Sequence, residues 1–166
     1  VEHIIEEYGE ATIHQLLRAY GDGLDTEAAL DGVGLDFDTL QASFDVAVEA
    51  RFGALRRAME APDEQLPEGD RLAALRELVV DYPDSFPVQM ALGRALRAAG
   101  EIDAATTAFE KAVTLAPMAT GDSSPHVPLA AMAAEQGDQS LAMTHLEAHL
   151  EHDHRDIDAA RQLAAL

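Results

Sequence analysis

Two consecutive amphipathic helices joined by a glycine turn are the feature that most restricts the fold of this chain. Residues 86–117 carry apolar side chains at helical spacing on both sides of Gly100. Gly93 is small enough to let two helices approach closely, and Phe109 is large enough to fill the space between neighbours. Pro117 ends the second helix because its ring cannot continue the hydrogen-bond ladder. The stretch therefore predicts a tightly packed pair of helices.

The pattern of this helix pair recurs on both sides of it. Leu75 precedes Phe109, and Pro83 precedes Pro117, by 34 residues. Downstream, five positions match the pair at an offset of 37 residues, which places an insertion of about three residues in the loop between the units: Leu129, Ala130, Gly137, Ala142 and Leu146. Units of this kind bury their cores only against neighbours, so residues 157–166 are predicted to form a closing helix.

Three features of the helix pair resemble the tetratricopeptide repeat in order and spacing: the dipeptide Leu92-Gly93, the A-x3-F step from Ala105 to Phe109, and the final Pro117. Gln89 and Leu96 stand where that repeat usually has Trp and Tyr. The resemblance implies an all-α protein in which two to three units over about residues 62–166 form a right-handed helical solenoid. It also implies a non-catalytic scaffold that binds a protein or peptide partner on its concave helical face.

In that repeat family, the first helix of each unit lines the concave face. By this register, six side chains on the first helices of two successive repeats are predicted to form the partner-binding groove: Met90, Arg94, Arg97, Val127, Ala131 and Ala134. Arg94 and Arg97 lie three residues apart on one helix face, where two guanidinium groups can bind a carboxylate. The alternative is that each arginine pairs with acidic residues nearby on the stack.

The N-terminal part of the chain, residues 1–61, has a different pattern and is predicted to be an additional helical segment. Apolar positions predict a helix over residues 1–20 that Gly9 breaks or bends, a short helix over 26–33, and a longer helix ending by Glu60. A linker containing two prolines follows, so the second domain is predicted to begin at residue 62. The whole chain is expected to contain eight or nine helices. The longer helix carries one apolar stripe: Leu40, Phe44, Val48, Phe52, Leu55 and Met59.

A second resemblance covers about residues 1–60. A Tyr-Gly helix, a leucine-rich helix, a G-x-D-x-x-x-A-L turn-helix and an L-x-x-x-F helix follow one another as in the region after the zinc site of some bacterial gluzincin-type metallopeptidases. No histidine here is followed by glutamate, so the H-E-x-x-H motif is missing and no catalytic role passes to any residue. The resemblance implies an alternative role, as the C-terminal accessory region of a zinc metallopeptidase. Val1 lies within an amphipathic pattern, which predicts a piece of a longer protein.

Charge and composition restrict the partners. The formal net charge of −20 is spread along the chain and repels nucleic-acid phosphates and anionic lipids. No apolar run approaches the roughly 20 residues of a membrane helix. Cysteine is absent, which excludes a disulfide, a thiol nucleophile and a thiolate metal site and is compatible with any compartment. The sequence therefore predicts neither nucleic-acid binding nor membrane insertion.

Four histidines near the C-terminus are the strongest candidates for metal ligands: His145, His149, His152 and His154. His145 and His149 lie four residues apart on one helix face, a spacing that can chelate Zn²⁺ or Ni²⁺. In the repeat alignment, however, His149 takes a packing position and His154 lies beyond the helix end. We therefore expect a polar cluster at the helix end, with a small metal-binding module as the alternative.

No catalytic constellation is predicted. The carboxylates are distributed over solvated helix faces, which is typical of surfaces that favour solubility. Ser123 and Ser124 have no histidine or aspartate at a spacing suggestive of a serine nucleophile. The sequence therefore predicts no catalytic residue and no cofactor.

Overall fold

The protein is built from α-helices wherever the structure describes it. A computed structural model describes residues 1–60 and 71–166, and these residues contain no β-strand. The prediction of an all-α protein is confirmed. The described helices are α1 (Glu2–Tyr8), α2 (Glu10–Gly21), α3 (Thr26–Gly32), α4 (Phe37–Met59), α5 (Arg71–Asp81), α6 (Phe86–Ala98), α7 (Ile102–Leu115), α8 (His126–Glu135), α9 (Gln139–His152) and α10 (Ile157–Ala165), with a 3-10 turn at Gly121–Ser123.

The number of helices is higher than the sequence predicted. The described residues contain ten α-helices instead of eight or nine, because Gly9 separates α1 from α2 completely. Gly9 has a φ of 84°, which residues with a side chain rarely adopt. Its amide donates to the carbonyl of Ile5 at 2.9 Å and closes the last turn of α1. The glycine thus ends one helix and precedes the next.

The contacts divide the chain into two compact units, residues Val1–Ala54 and Leu55–Leu166. The boundary predicted between residues 61 and 62, and the proline-containing linker, lie outside the described residues. In the first unit, α2 and α3 bury a small cluster made of Leu16, Ala29 and Leu30. Helix α3 begins after Asp25, whose carboxylate accepts the amide of Ala28 at 2.9 Å as an N-cap.

The apolar stripe of α4 is covered only in part. Leu40 packs against the cluster of the first unit, and Leu55 packs against the core of the second unit. The stripe residues between and after them remain more than one-third exposed: Phe44, Val48, Phe52 and Met59. The periodicity of α4 therefore predicted its helical structure, but not how much of its apolar face is buried.

The core of the second unit lies where the repeat spacing predicted it. Leu75 and Phe109, which are 34 residues apart, are both 0% exposed and belong to one cluster formed by α5, α6, α7 and α8. Leu146, which matches Phe109 at the offset of 37 residues, is buried in a neighbouring cluster with Ala130 and Ala159. Equivalent positions of the three proposed units are thus equally buried.

The turns of the two helical hairpins, α6–α7 and α8–α9, share one backbone conformation. Gly100 has a φ of 80° and Gly137 a φ of 82°. In each turn, the glycine amide donates to the carbonyl three residues back at 3.0 Å, and the next amide donates to the carbonyl five residues back at 2.9 Å. This pattern satisfies the last carbonyls of the preceding helix. The glycines matched by the offset of 37 residues therefore perform the same structural task.

Gly93 and Phe109 form the closest approach within the α6–α7 hairpin. A Cβ atom added to Gly93 would lie 2.7 Å from Cε1 of Phe109. We expect Gly93→Ala to lower the free energy of unfolding of the second unit by about 1–3 kcal/mol, because the fully buried ring of Phe109 would have to shift to admit the new methyl group. The helix-propensity gain of about 1 kcal/mol for replacing glycine opposes this loss without cancelling it. Equilibrium denaturation measures the net change.

A double-mutant cycle provides the control for this prediction. In a Phe109→Leu background, the aromatic atoms that a Cβ at position 93 would meet are mostly removed. The same Gly93→Ala change should then cost less, with a coupling energy of about 1 kcal/mol or more between the two sites. An equal cost in both backgrounds would show that the contact between Gly93 and Phe109 does not limit the packing.

Candidate functional site

The predicted partner-binding residues lie on helices α6 and α8, and five of the six have accessible surface. Arg94 and Ala134 are exposed, whereas Arg97, Val127 and Ala131 are half-buried. Met90 is 3% exposed and belongs to the core cluster of the second unit. The side chain of Met90 therefore packs in the core and offers almost no surface to a partner.

The two arginines connect α6 with the segment that contains α8. Arg97 Nη2 lies 2.6 Å from Oε1 of Glu135, and Arg94 Nη2 donates to the backbone carbonyl of Asp122 at 2.7 Å. Arg97 therefore pairs with a nearby acidic residue, Glu135 of α8, which was the alternative that the sequence left open. Arg94 instead binds a backbone oxygen. The side chains of Arg97 and Glu135 are 35% and 60% exposed, and such ion pairs contribute only about 0–1 kcal/mol.

These contacts leave a surface of mixed chemistry along α6 and α8. Two guanidinium groups lie on one side, and small apolar side chains lie at i, i+4 and i+7 on α8: Val127, Ala131 and Ala134. The small side chains let another backbone approach closely. The arginines can exchange their solvent-exposed local contacts for a carboxylate of a partner at little cost. The surface thus combines two arginine contacts, to Asp122 and Glu135, with accessible small side chains on α8.

The histidines do not form the pair that the sequence singled out. His145 faces His126, with their Nδ1 atoms 3.2 Å apart, whereas both ring nitrogens of His149 contact other residues. His154 lies beyond α9, and its Nδ1 atom is 3.0 Å from the carbonyl oxygen of Leu150. Within residues 1–60 and 71–166, no group of three or more His, Asp or Glu side chains has an arrangement that could hold a metal ion.

A polar cluster joins three segments through two buried residues, Ser124 and His149, and the partly exposed Asp156. Nδ1 of His149 is 3.0 Å from Oγ of Ser124, and Nε2 is 3.0 Å from Oδ2 of Asp156. An ionised carboxylate can only accept, so the neutral tautomer that satisfies all three groups carries its proton on Nε2. Nδ1 then accepts the hydroxyl proton of Ser124. With a neutral imidazole, each of the three side chains therefore has a hydrogen-bond partner.

Asp156 holds this cluster at the start of α10. Its Oδ1 atom accepts the amides of Asp158 and Ala159 at 3.0 and 2.9 Å, which makes it the N-cap of the helix. The backbone hydrogen bond from Ala159, followed by the hydrogen bond from His149, lowers the pKa of the Asp156 carboxyl below its ordinary value. Asp156 is therefore an acceptor at neutral pH for both the helix end and the histidine.

Ser124, His149 and Asp156 are the residue types of a hydrolase triad, but the ring nitrogens are used the other way round, since Nδ1 contacts the serine and Nε2 the aspartate. The burial of the cluster also favours a structural role. Ser124 and His149 are each only 1% exposed, so the carbonyl of a substrate cannot reach Oγ of Ser124. Among the residues that the structure describes, no buried side-chain polar atom lacks a hydrogen-bond partner. The cluster therefore ties the loop before α8 to α9 and α10.

Sequence reasoning missed this cluster, because it found no partner for Ser124. The partners of His149 lie 25 residues before it and seven residues after it. Two signals were present: a histidine in a packing position of α9, and the D-x-D-A pattern from Asp156, which is typical of a helix N-cap. A buried histidine at such a position requires polar partners, and the adjacent cap is the nearest source of one.

Compared with known proteins, the chain matches no protein family, and no curated protein shows significant similarity to it. None of the helices within the described part of the chain is long and apolar enough to span a membrane.

Proposed function

We propose that this protein is a non-catalytic scaffold of tetratricopeptide-like units that binds a protein or peptide segment through the surface formed by α6 and α8. The contact between Arg97 and Glu135 is the main support for this proposal, because it joins α6 to α8, which we take to be the first helices of two successive repeats. The predicted binding residues of both units then contribute to one continuous surface, which we propose is the concave face of a right-handed solenoid.

Three further features of the second unit support a repeat architecture. The main helix contacts join consecutive helices, with α6 against α7 and α8 against α9 as the most extensive. Equivalent core positions are equally buried, as Leu75 and Phe109 illustrate. The two hairpin turns share the same hydrogen bonds. Each of these properties is expected of stacked units that bury their apolar faces against neighbours in sequence.

The chemistry of the surface favours a segment that contains a carboxylate. Arg94 and Arg97 can donate charge-assisted hydrogen bonds, which are about twice as strong as neutral ones. The small side chains of α8 favour close backbone contact beside them. The net charge of −20 repels a partner that is acidic throughout, so the carboxylate should stand in a neutral or basic sequence context.

Paired arginine substitutions test this function. Peptides selected from a displayed random library with the wild-type protein should bind the double variant Arg94→Ala/Arg97→Ala about tenfold or more weakly, because hydrogen bonds to charged groups contribute about 1.5–3 kcal/mol. The double variant Arg155→Ala/Arg161→Ala removes the same charge near the C-terminus and serves as the control. Fluorescence anisotropy measures binding, and circular dichroism monitors helix content.

Two results would contradict the proposal. Selected peptides that bind wild type and the Arg94→Ala/Arg97→Ala variant equally would remove the arginines from the site. An equal loss in the control variant would show that overall charge, and not this surface, determines binding. The alternative role as an accessory region of a zinc metallopeptidase stays a prediction from the pattern of residues 1–60.

A further inference from the structure

A pair of histidines joins α8 to α9 and is independent of the partner-binding proposal. His126 is the first residue of α8, and His145 lies in the middle of α9. Their Nδ1 atoms are 3.2 Å apart, and their ring centroids are separated by 5.4 Å. Both rings are half-buried. The two residues are 19 positions apart in sequence, so the folded hairpin is what brings them together.

We propose that His126 and His145 bind one divalent transition-metal ion, Zn²⁺ in the first instance, through their Nδ1 atoms, with water molecules as the remaining ligands. Zinc–nitrogen bonds of about 2.0–2.1 Å at a tetrahedral angle place two ligand nitrogens about 3.3–3.4 Å apart. The observed separation of 3.2 Å is close to that value. The hairpin therefore holds the two nitrogens at nearly the distance that a chelated ion requires.

The surroundings of the pair keep both rings in the form that binds metal. Burial, followed by the neighbouring His145, His149 and His152, lowers the pKa of His126. Burial also lowers the pKa of His145, and the nearby Glu110 opposes this effect in part. Both shifts favour the neutral imidazole, which is the form that binds metal. The carboxylate of Glu110 and the strongly negative net charge both favour a cation.

This site differs from the pair His145 and His149 that the sequence suggested. Both ring nitrogens of His149 already have partners at 3.0 Å, Ser124 and Asp156. Binding a metal there would break the buried cluster and leave the hydroxyl of Ser124 unsatisfied. In contrast, among residues 1–60 and 71–166 the Nδ1 atoms of His126 and His145 have only each other as hydrogen-bonding partners. A bound ion would replace that single contact.

Zinc titration of the chelator-treated protein tests the proposal. Calorimetry with Zn²⁺ alone should give one saturable site in the wild type. His126→Gln and His145→Gln should each weaken it by about tenfold or more, since even loss of an outer-shell partner of a metal site costs 10–100-fold. The control His152→Gln/His154→Gln removes two exposed histidines of the same region and should bind as tightly as the wild type. Because the ion links α8 to α9, Zn²⁺ should also raise the melting temperature of the wild type.

Equal zinc affinity in the wild type and His126→Gln would overturn the proposal, as would a loss confined to the His152→Gln/His154→Gln control. A measurement on the wild type alone covers the case in which a variant fails to fold. In nitrogen-detected NMR spectra of the histidine rings, Zn²⁺ should shift the Nδ1 resonances of His126 and His145 and leave those of His149 in place. Unchanged resonances of the pair at saturating Zn²⁺ would also overturn it.

Discussion

Replacing Phe109 with alanine is expected to lower the free energy of unfolding of the second unit by about 3–5 kcal/mol. The ring is 0% exposed and belongs to the cluster to which α5, α6, α7 and α8 all contribute. Truncation removes its apolar surface from the core and leaves a cavity, which the rigid hairpin around Gly93 can close only in part. Domains of this size are stable by about 5–15 kcal/mol, so the variant should lose a large share of its stability.

Chemical denaturation followed by circular dichroism measures this loss. Val80→Ala is the matched control, because Val80 belongs to the same unit, is apolar and is exposed. A change within about 0.5 kcal/mol is expected there. A loss below about 1 kcal/mol for Phe109→Ala would contradict the central position of the ring in the core. It would also count against the proposed repeat architecture, which depends on that position.

Replacing His149 with leucine should cost about 2–4 kcal/mol, although leucine is apolar and of similar size. The reason is the hydroxyl of Ser124, which is 1% exposed and would lose the partner that it has at 3.0 Å. An unsatisfied buried polar group costs about 1–3 kcal/mol, and imperfect packing of leucine adds to this penalty. Asp156 would keep its two backbone amides but lose the hydrogen bond that joins α10 to α9.

Two variants separate this explanation from a general sensitivity of α9. His152→Ala alters an exposed histidine three residues further along the helix and should change stability by less than about 0.5 kcal/mol. Adding Ser124→Ala to His149→Leu removes the orphaned hydroxyl, so the double variant should be more stable than the sum of the single losses predicts. Strict additivity would show that Ser124 does not depend on His149.

Helix positions and most of the core could be predicted, because both follow from local periodicity. The apolar spacing around Leu75 and Phe109 fixed which faces are buried, and the glycines at 100 and 137 fixed where the hairpins turn. The count of helices was wrong by at least one, since a pattern of apolar residues does not reveal whether a glycine such as Gly9 bends a helix or separates two. The handedness and curvature of the stack stay predictions.

The polar clusters could not be predicted, because their members come from different elements. Sequence reasoning compared histidines four residues apart on one helix, which selected His145 and His149. Their true neighbours depend on the register of α8 against α9, which pairs His126 with His145. The same register carries the loop before α8 to His149. For Arg97, the sequence predicted an acidic partner as one alternative but could not identify it as Glu135, because the chain contains many acidic residues.

The loop between α7 and α8 carries Ser124, and this restricts where the chain can be joined in chimeras. The extra residues of this loop end at the serine that satisfies His149 in the following hairpin. A chimera joined after Pro117 transfers Ser124 together with His149 and preserves the hydrogen bond between them. A chimera joined at Pro125 divides the pair and installs a buried imidazole without its hydroxyl. The crossover point that keeps Ser124 together with His149 therefore lies upstream of α8, in the loop between α7 and α8.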